Sequence, residues 1–437
     1  MQHDLISDRA RALGLRTLKR AAGAVTRLVP ITPPVLLVGP GSALRLGQAV
    51  AGFGHRRVLL VTDAVITQLG LAAPLAEALA AAGVQVVVFD GVTPDAPIPV
   101  VEQGLALFVA EKCEAIVAFG GGSVMDAAKV IGLAAANGKH PRELVGYFKG
   151  RHGPAPLYAV PTTAGTGSEV TVAAIISDPD AGQKMMVADS RLVPEMAALD
   201  PTLMTGLPPA ITAATGMDAL THAVEAFISL WATPYTDRMA LAAARMIWQQ
   251  LPRAWQDGSD LDAREQMALA STYAGLAFTR ANVGNVHAIA HQLGGRYHTP
   301  HGLANAIMLA SVLRFSLPDA APRLARLARH VGLAGKTELA LAKKFVDAVQ
   351  ALNDALEIPR TLAALREEDL EALAAAACHE ADFNYPVPRR MTPADCTALL
   401  RLVLSPTAQP AKAPAKRRAQ RRPAASSKAV KASRSTK

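Results

Sequence analysis

Cysteine is scarce in this chain. There are three, Cys113, Cys378 and Cys396, in 437 residues, with no CxxC pairing. An odd and scattered set excludes a disulfide framework and a thiolate metal site. It fits a reducing compartment in which the thiols are buried apolar groups. Missing as well is any apolar run of the roughly 20 residues that a membrane-spanning helix needs. Residues 1–34 lack the uninterrupted apolar core and small-residue cleavage site of a secretory signal. These absences predict a cytoplasmic protein. Acid is absent from residues 405–437, which hold ten Lys or Arg, and residues 1–34 carry a further net +4. The formal charge of +9 therefore belongs to the two ends, and residues 35–404 carry about −5.

The C-terminal tail (405–437) is Ala, Lys, Arg, Ser and Pro without an aromatic residue. It cannot bury enough apolar surface to offset ordering entropy, which predicts disorder. It is either a solvated solubility tail or a weak contact to nucleic acid or anionic lipid through counterion release. The N-terminal extension (1–34) alternates basic and apolar positions at helical spacing. It is a candidate for the surface of an anionic membrane, or for packing on its own protein.

What remains is rich in hydrophobic residues, 51% against 19% charged, and long enough for two domains. Strands and helices alternate over 35–205. "RVLLVTD" (57–63), "VQVVVFD" (84–90), "EAIVAFGGGS" (114–123) and "LYAVPTT" (157–163) read as strands. The spacing predicts helices over 67–83 and 99–112. This alternation implies a mostly parallel sheet with helices on both faces, an α/β dinucleotide-binding domain. After a Pro- and Gly-rich hinge near 201–209, Ala/Leu-rich segments of 3.6-residue periodicity run on to 404. The second domain, 206–404, should be all-α.

Two loops leave strands of the first domain. In "AFGGGSVMDAAKVIG", Gly120, Gly121 and Gly122 end a buried strand and Ser123 opens a helix. Glycines let backbone approach a phosphate, and the helix N-terminus offers free N–H groups; a tight ligand-free turn is the competing reading. "VPTTAGTGSEVT" is dense in hydroxyls, with Thr162, Thr163 and Thr171 among them. Two such loops at strand carboxyl ends are what a dinucleotide crevice requires. Asp63 ends the strand "VLLVTD". It either accepts the ribose hydroxyls of NAD, repelling a 2′-phosphate, or caps a helix.

Histidine is used sparingly, 11 in all, yet four fall in "NVHAIAHQLGGRYHTPHG". His287 and His291 sit at i and i+4 on a helix, as do Asp218 and His222 in "GMDALTHAVEAF". His301 follows a proline at a helix start. His298 lies in a polar turn and is set aside. So many imidazoles in apolar surroundings would be costly without a common partner, and one carboxylate with several imidazoles suits Fe²⁺ or Zn²⁺.

With "GGGSVMD", "PTTAGTGSEVT", "GMDALTHAVEA" and "HAIAHQLGGRYHTPHGLANAI" in this order, the chain from about Pro34 to Leu404 resembles the iron-containing (group III) alcohol dehydrogenases of the dehydroquinate synthase-like fold. The resemblance implies that Asp218, His222, His287 and His301 ligate one metal, usually Fe²⁺ and sometimes Zn²⁺, leaving His291 as a proton relay. It implies that Gly121, Gly122 and Ser123 hold the pyrophosphate and Asp63 the ribose. Thr162, Thr163, Thr171 and Lys184 line the rest of the cofactor cleft, and Phe278 forms an aromatic wall. Asp95, which the resemblance also places on the cofactor, stands where the family usually has Asn. The "ADFNYPVPRRMT" segment (381–392) replaces the commoner "GNPR" ending. The implied activity is NAD-linked oxidation of a small alcohol or reduction of an aldehyde. The metal acts as Lewis acid on the alcohol oxygen, and hydride passes from the alkoxide carbon to nicotinamide C4. A homodimer or higher oligomer is implied too. Alternatives within the superfamily are maleylacetate reductase and hydroxyacid–oxoacid transhydrogenase; from outside it, a non-catalytic tether working through the basic ends.

Overall fold

The computed structural model describes residues 28–180 and 183–406, together with Gly14, Thr17, Lys19, Ala21, Gly23 and Ala24. The expectations for the tail beyond 406 and for most of 1–27 lie outside the described residues.

Six strands form one parallel sheet: β1 (Val35–Val38), β2 (Arg57–Val61), β3 (Gln85–Phe89), β4 (Ala115–Gly120), β6 (Leu157–Pro161) and β9 (Met196–Leu199), in the order β1-β9-β6-β4-β2-β3. The central strands β4, β6 and β9 are buried throughout, whereas the edge strands β1 and β3 are partly exposed. That is why the central runs are apolar without a break. Alternate side chains feed separate cores. Ala115, Val117 and Phe119 join the layer formed by helices α1 (Ser42–Gly52) and α3 (Ala73–Ala81). Ile116 and Ala118 join that of α4 (Ile98–Ala110) and α5 (Gly122–Asn137).

The helix expected over 67–83 is instead two, α2 (Ala64–Gln68) and α3. Gly70 turns the chain between them at φ 69, and Pro74 stands in the first turn of α3, where its missing N–H costs nothing. A second, three-stranded sheet combines β5 (Gly146–Tyr147) with the antiparallel pair β7 (Ala173–Asp178) and β8 (Gln183–Ala188).

The last strand ends at Leu199, and among the described residues everything long beyond it is helical: α6 (Pro209–Ile228), α7 (Pro234–Gln256), α8 (Leu261–Ala281), α9 (Asn285–Tyr297), α10 (His301–His330), α11 (Glu338–Ala355), α12 (Leu370–Asn384) and α13 (Pro393–Leu402). Helix α6 runs through the middle of this bundle. Residues such as Leu220, Val224 and Phe227 are fully buried there, each contributing about 1.5–3 kcal/mol.

Candidate active site

Helix α6 is buried almost all round, yet it carries an acid and a histidine one turn apart. Asp218 and His222 are 2% and 5% exposed. Helix α9 brings His287 and His291 up at the same spacing, and α10 starts at His301 directly after Pro300. Asp218 Oδ1 lies 4.0 Å from His222 Nε2, 3.9 Å from His287 Nε2 and 3.6 Å from His301 Nε2. One donor atom from each of the four falls within 4.8 Å of all the others. His291 stands outside this group, its ring stacked on His301 at 5.3 Å.

This donor set fits a divalent cation. Burial, then the neighbouring histidines, push His287 and His301 well below the usual imidazole range, so both rings are neutral and present lone pairs. Burial also raises the Asp218 carboxyl, against the pull of His222 and Asn305. Asn305 Nδ2 lies 2.6 Å from Asp218 Oδ1 and 3.1 Å from both His287 Nε2 and His301 Nε2, while its own Oδ1 is buried without a partner. One amide cannot satisfy that many inward-facing lone pairs; a shared transition-metal ion can. Behind the cluster, Glu225 accepts from His287 Nδ1 at 2.7 Å and from the Gly284 and Val286 N–H groups. The contact aims His287 Nε2 at Asp218, the way a carboxylate commonly orients a ligating histidine. Burial pushes Glu225 up to about 7 despite those donors.

The glycine loop faces the same space. Parallel pairing sets Gly120 beside Pro161, so the loops after β4 and β6 leave one end of the sheet side by side. They touch: a Cβ on Gly122 would come 2.7 Å from Thr166 Cγ2. Helix α5 begins there with no side-chain cap, leaving backbone donors and the positive dipole end free. Gly122, Ser123, Thr171 and Lys184 from the sheet side, and Asp218, His222, His291, His301 and Phe278 from the helical side, line one cleft of about 220 Å³. Past His291 and Lys184 a wider chamber of about 890 Å³ opens between the β7–β8 pair and helices α9 and α12.

With this geometry, the comparisons converge. Residues 33–201 match the family described as iron-containing alcohol dehydrogenase, and 212–404 match the C-terminal part of the Fe-containing alcohol dehydrogenase family. The chain belongs to the iron-containing alcohol dehydrogenase family. It is 38% identical over 376 residues to an NAD-dependent methanol dehydrogenase of Bacillus methanolicus, covering 85% of this chain and 98% of that protein. It is 39% identical to a 1,3-propanediol dehydrogenase of Klebsiella pneumoniae, covering 85% and 97%. The crystal structure of a 1,3-propanediol oxidoreductase superposes with a TM-score of 0.83 at 38% identity, covering 86% of this chain and all of that one. The protein is an iron-type alcohol dehydrogenase.

Not every expected residue faces the dehydrogenase cleft in the manner foreseen. Asp63 caps α2, its Oδ1 accepting from Val65 N at 2.9 Å and Ile66 N at 3.0 Å. The Thr171 hydroxyl turns inward to Lys129 Nζ at 2.9 Å. Thr162 is buried at the strand end, donating its N–H to Gly120 O. Thr163 flanks Gly121. Asp95 has a left-handed backbone, φ 65, and pairs with Lys184 Nζ at 2.7 Å; its N–H donates to Ser123 Oγ. Asp is among the few residues other than glycine that tolerate that conformation.

Sequence reasoning missed the residues that hold the dehydrogenase site from behind. Glu225 and Asn305 were findable: each lies one helical turn from a site histidine, three residues after His222 and four after His301. Lys129 was not. Fully buried, it donates to Ser168 Oγ, Thr171 O and Ala173 O and pins the second loop to α5. Nor were Glu380, whose Oε1 sits 2.6 Å from His291 Nδ1, and Tyr385, whose hydroxyl donates to the same oxygen. The three cysteines are free and buried, as expected. His298 is exposed.

Proposed function

We propose that this dehydrogenase oxidises a small primary alcohol with NAD, or reduces the matching aldehyde, in the cleft between α5 and α9. The single supporting observation is that an uncapped, glycine-led helix start and a buried Asp–His₃ cluster open on one cleft. Asp218, His222, His287 and His301 would hold one divalent ion, for which we propose Fe²⁺, with Zn²⁺ the alternative. Bound there, the ion supplies Lewis acidity towards the alcohol oxygen, and NAD supplies the hydride acceptor.

The chain's own residues do the rest. Backbone donors of Gly121, Gly122 and Ser123 at the head of α5 hold the pyrophosphate. Asp63, with Oδ1 engaged as a cap, has its second oxygen for a ribose hydroxyl. Lys184 and Asp95 form the paired floor of the cofactor cleft, and Thr162, Thr163 and Thr171 shape its wall. Phe278, stacked on His222 at 4.2 Å, walls the substrate carbons. His291, held by Glu380, takes the alcohol proton towards the wider chamber. Lys184 is the cation lining the cleft among the described residues, and Asp95 neutralises it. That pairing favours an uncharged alcohol over a hydroxy acid. The relatives named for methanol and 1,3-propanediol support a short chain.

Among the described residues no helix is long and apolar enough to cross a membrane, and the free thiols support a reducing, cytoplasmic setting. Self-association as a dimer is part of the proposal, supported by the open edge of β1, where Val35 is 58% exposed. The test is elemental analysis of purified protein beside NAD-linked turnover on a panel of primary alcohols. One equivalent of iron with turnover is expected; no bound metal, or no turnover on any alcohol, overturns the reading.

A further inference from the structure

Residues 1–32 lie outside both family matches, and Gly14, Thr17, Lys19, Ala21, Gly23 and Ala24 among them are helical. Two of them, Lys19 and Gly23, lie against Trp231 and the end of α12. The Trp231 indole N–H donates to Lys19 O at 2.6 Å. Gly23 lies flat on that indole: a Cβ there would come 2.5 Å from Trp231 Cδ1. Lys19 Nζ donates to Ala381 O at 2.9 Å and also to Tyr385 O. Ala381 lies in the last turn of α12 and Tyr385 directly after it. Both carbonyls also accept a backbone N–H, from Tyr385 and Val387, and a cation at a helix C-terminus is favoured by the dipole. Lys19 is half-buried, and that burial pushes its amine down to about 8, with Asp382 partly offsetting it.

What lies at that helix end matters. The residue whose carbonyl Lys19 holds is Tyr385. Its hydroxyl donates to Glu380, and Glu380 holds His291 Nδ1 at 2.6 Å. Tyr385 also lines both the cleft and the wider chamber. Lys19, outside the family region, is thus joined through the backbone and side chain of Tyr385 and then Glu380 to the ring stacked on His301.

We infer that Lys19 is a positioning residue of this dehydrogenase: the N-terminal segment straps the end of α12 so that Tyr385 and Glu380 hold His291 in its working orientation. The inference rests on the proposed relay role of His291. It assigns the extension a role in cis, in place of an attachment to membrane or nucleic acid.

The test uses the full chain. Lys19→Met removes the amine; Gly23→Leu pushes the segment off Trp231 and leaves the amine intact. Both should lower kcat for alcohol oxidation about tenfold, with the KM for NAD and the bound metal unchanged. Combined with Tyr385→Phe, Lys19→Met should add no further loss, because both act on one path. A wild-type kcat in Lys19→Met, or losses that multiply in the double variant, would overturn the inference. His291→Ala is measured alongside. If it is not slowed, the relay itself falls. If it is slow while Lys19→Met is not, only the strap falls.

Discussion

The two halves of the cleft are built on opposite principles. The sheet side offers mostly backbone: the Gly121–Gly122–Ser123 turn, the start of α5, and a second loop pressed against it by Gly122. The helical side offers side chains, carried at i and i+4 on α6 and α9 and at the first residue of α10. A phosphate spreads its charge over several oxygens and is met by several weak N–H donors, so the fold of the loop is what counts. A metal ion needs a few donors at fixed distance, so the identity of each side chain counts. Substitutions should therefore be felt differently on the two sides.

The largest expected effect tests that contrast directly. His287→Ala should lose both bound metal and turnover, with kcat falling more than about a hundredfold, since even the partners behind such ligands are worth 10–100-fold. The NAD affinity should stay within about twofold. Retention of a full metal equivalent, read by elemental analysis, would break the assignment of the helical side. Second in size is Lys129→Met. Removing it strips the Ser168 hydroxyl and the Thr171 and Ala173 carbonyls of their shared buried donor, which should destabilise the fold by about 1–3 kcal/mol in denaturant titration. The sign with pH follows from the lysine itself. Burial lowers it to about 8 when folded, against about 10.4 when unfolded. Between those values the unfolded chain binds the proton more tightly, so this group's cost to stability, present in full below about pH 8, is relieved as pH rises. The variant should lose that rise.

Gly122→Val is the mirror image of His287→Ala. Its Cβ collides with Thr166, and overpacking of that kind costs about 1–3 kcal/mol. The KM for NAD should rise about tenfold while metal content is unchanged. A fall in metal content would show that the two sides are not separable. Smallest is Asp63→Gly. Glycine is a tolerable cap, worth only a few tenths of a kcal/mol less. The ratio of NADP to NAD use therefore reports the ribose contact; an unchanged ratio leaves Asp63 as the cap of α2 alone.

Legibility in the sequence followed the same division. The parallel sheet was readable because β4 and β6 are continuous apolar runs ending in glycine or hydroxyl-rich loops. The break at Gly70 is hidden in the sequence because leucine and alanine around it keep helical periodicity through the turn. Asp218, His222, His287 and His291 stood out because i,i+4 spacing places side chains on one helix face before any tertiary contact forms. Glu225 and Asn305 obey that rule too and could have been added. Lys129, Glu380 and Tyr385 obey no local rule. Lys129 lies 39 residues from Ser168, and Glu380 lies 89 from His291, so no spacing joins them.

By itself the sequence determined the alternation of strands and helices, the glycine turn and the one-face pairs of donors, because each depends on dihedral preference and periodicity within a few residues. The tertiary structure decided which pairs meet around Asp218, that the Thr171 hydroxyl turns inward to Lys129, and that Lys19 reaches the end of α12. Those outcomes depend on the packing of helices distant in sequence, and packing is set by the whole core rather than by any one stretch.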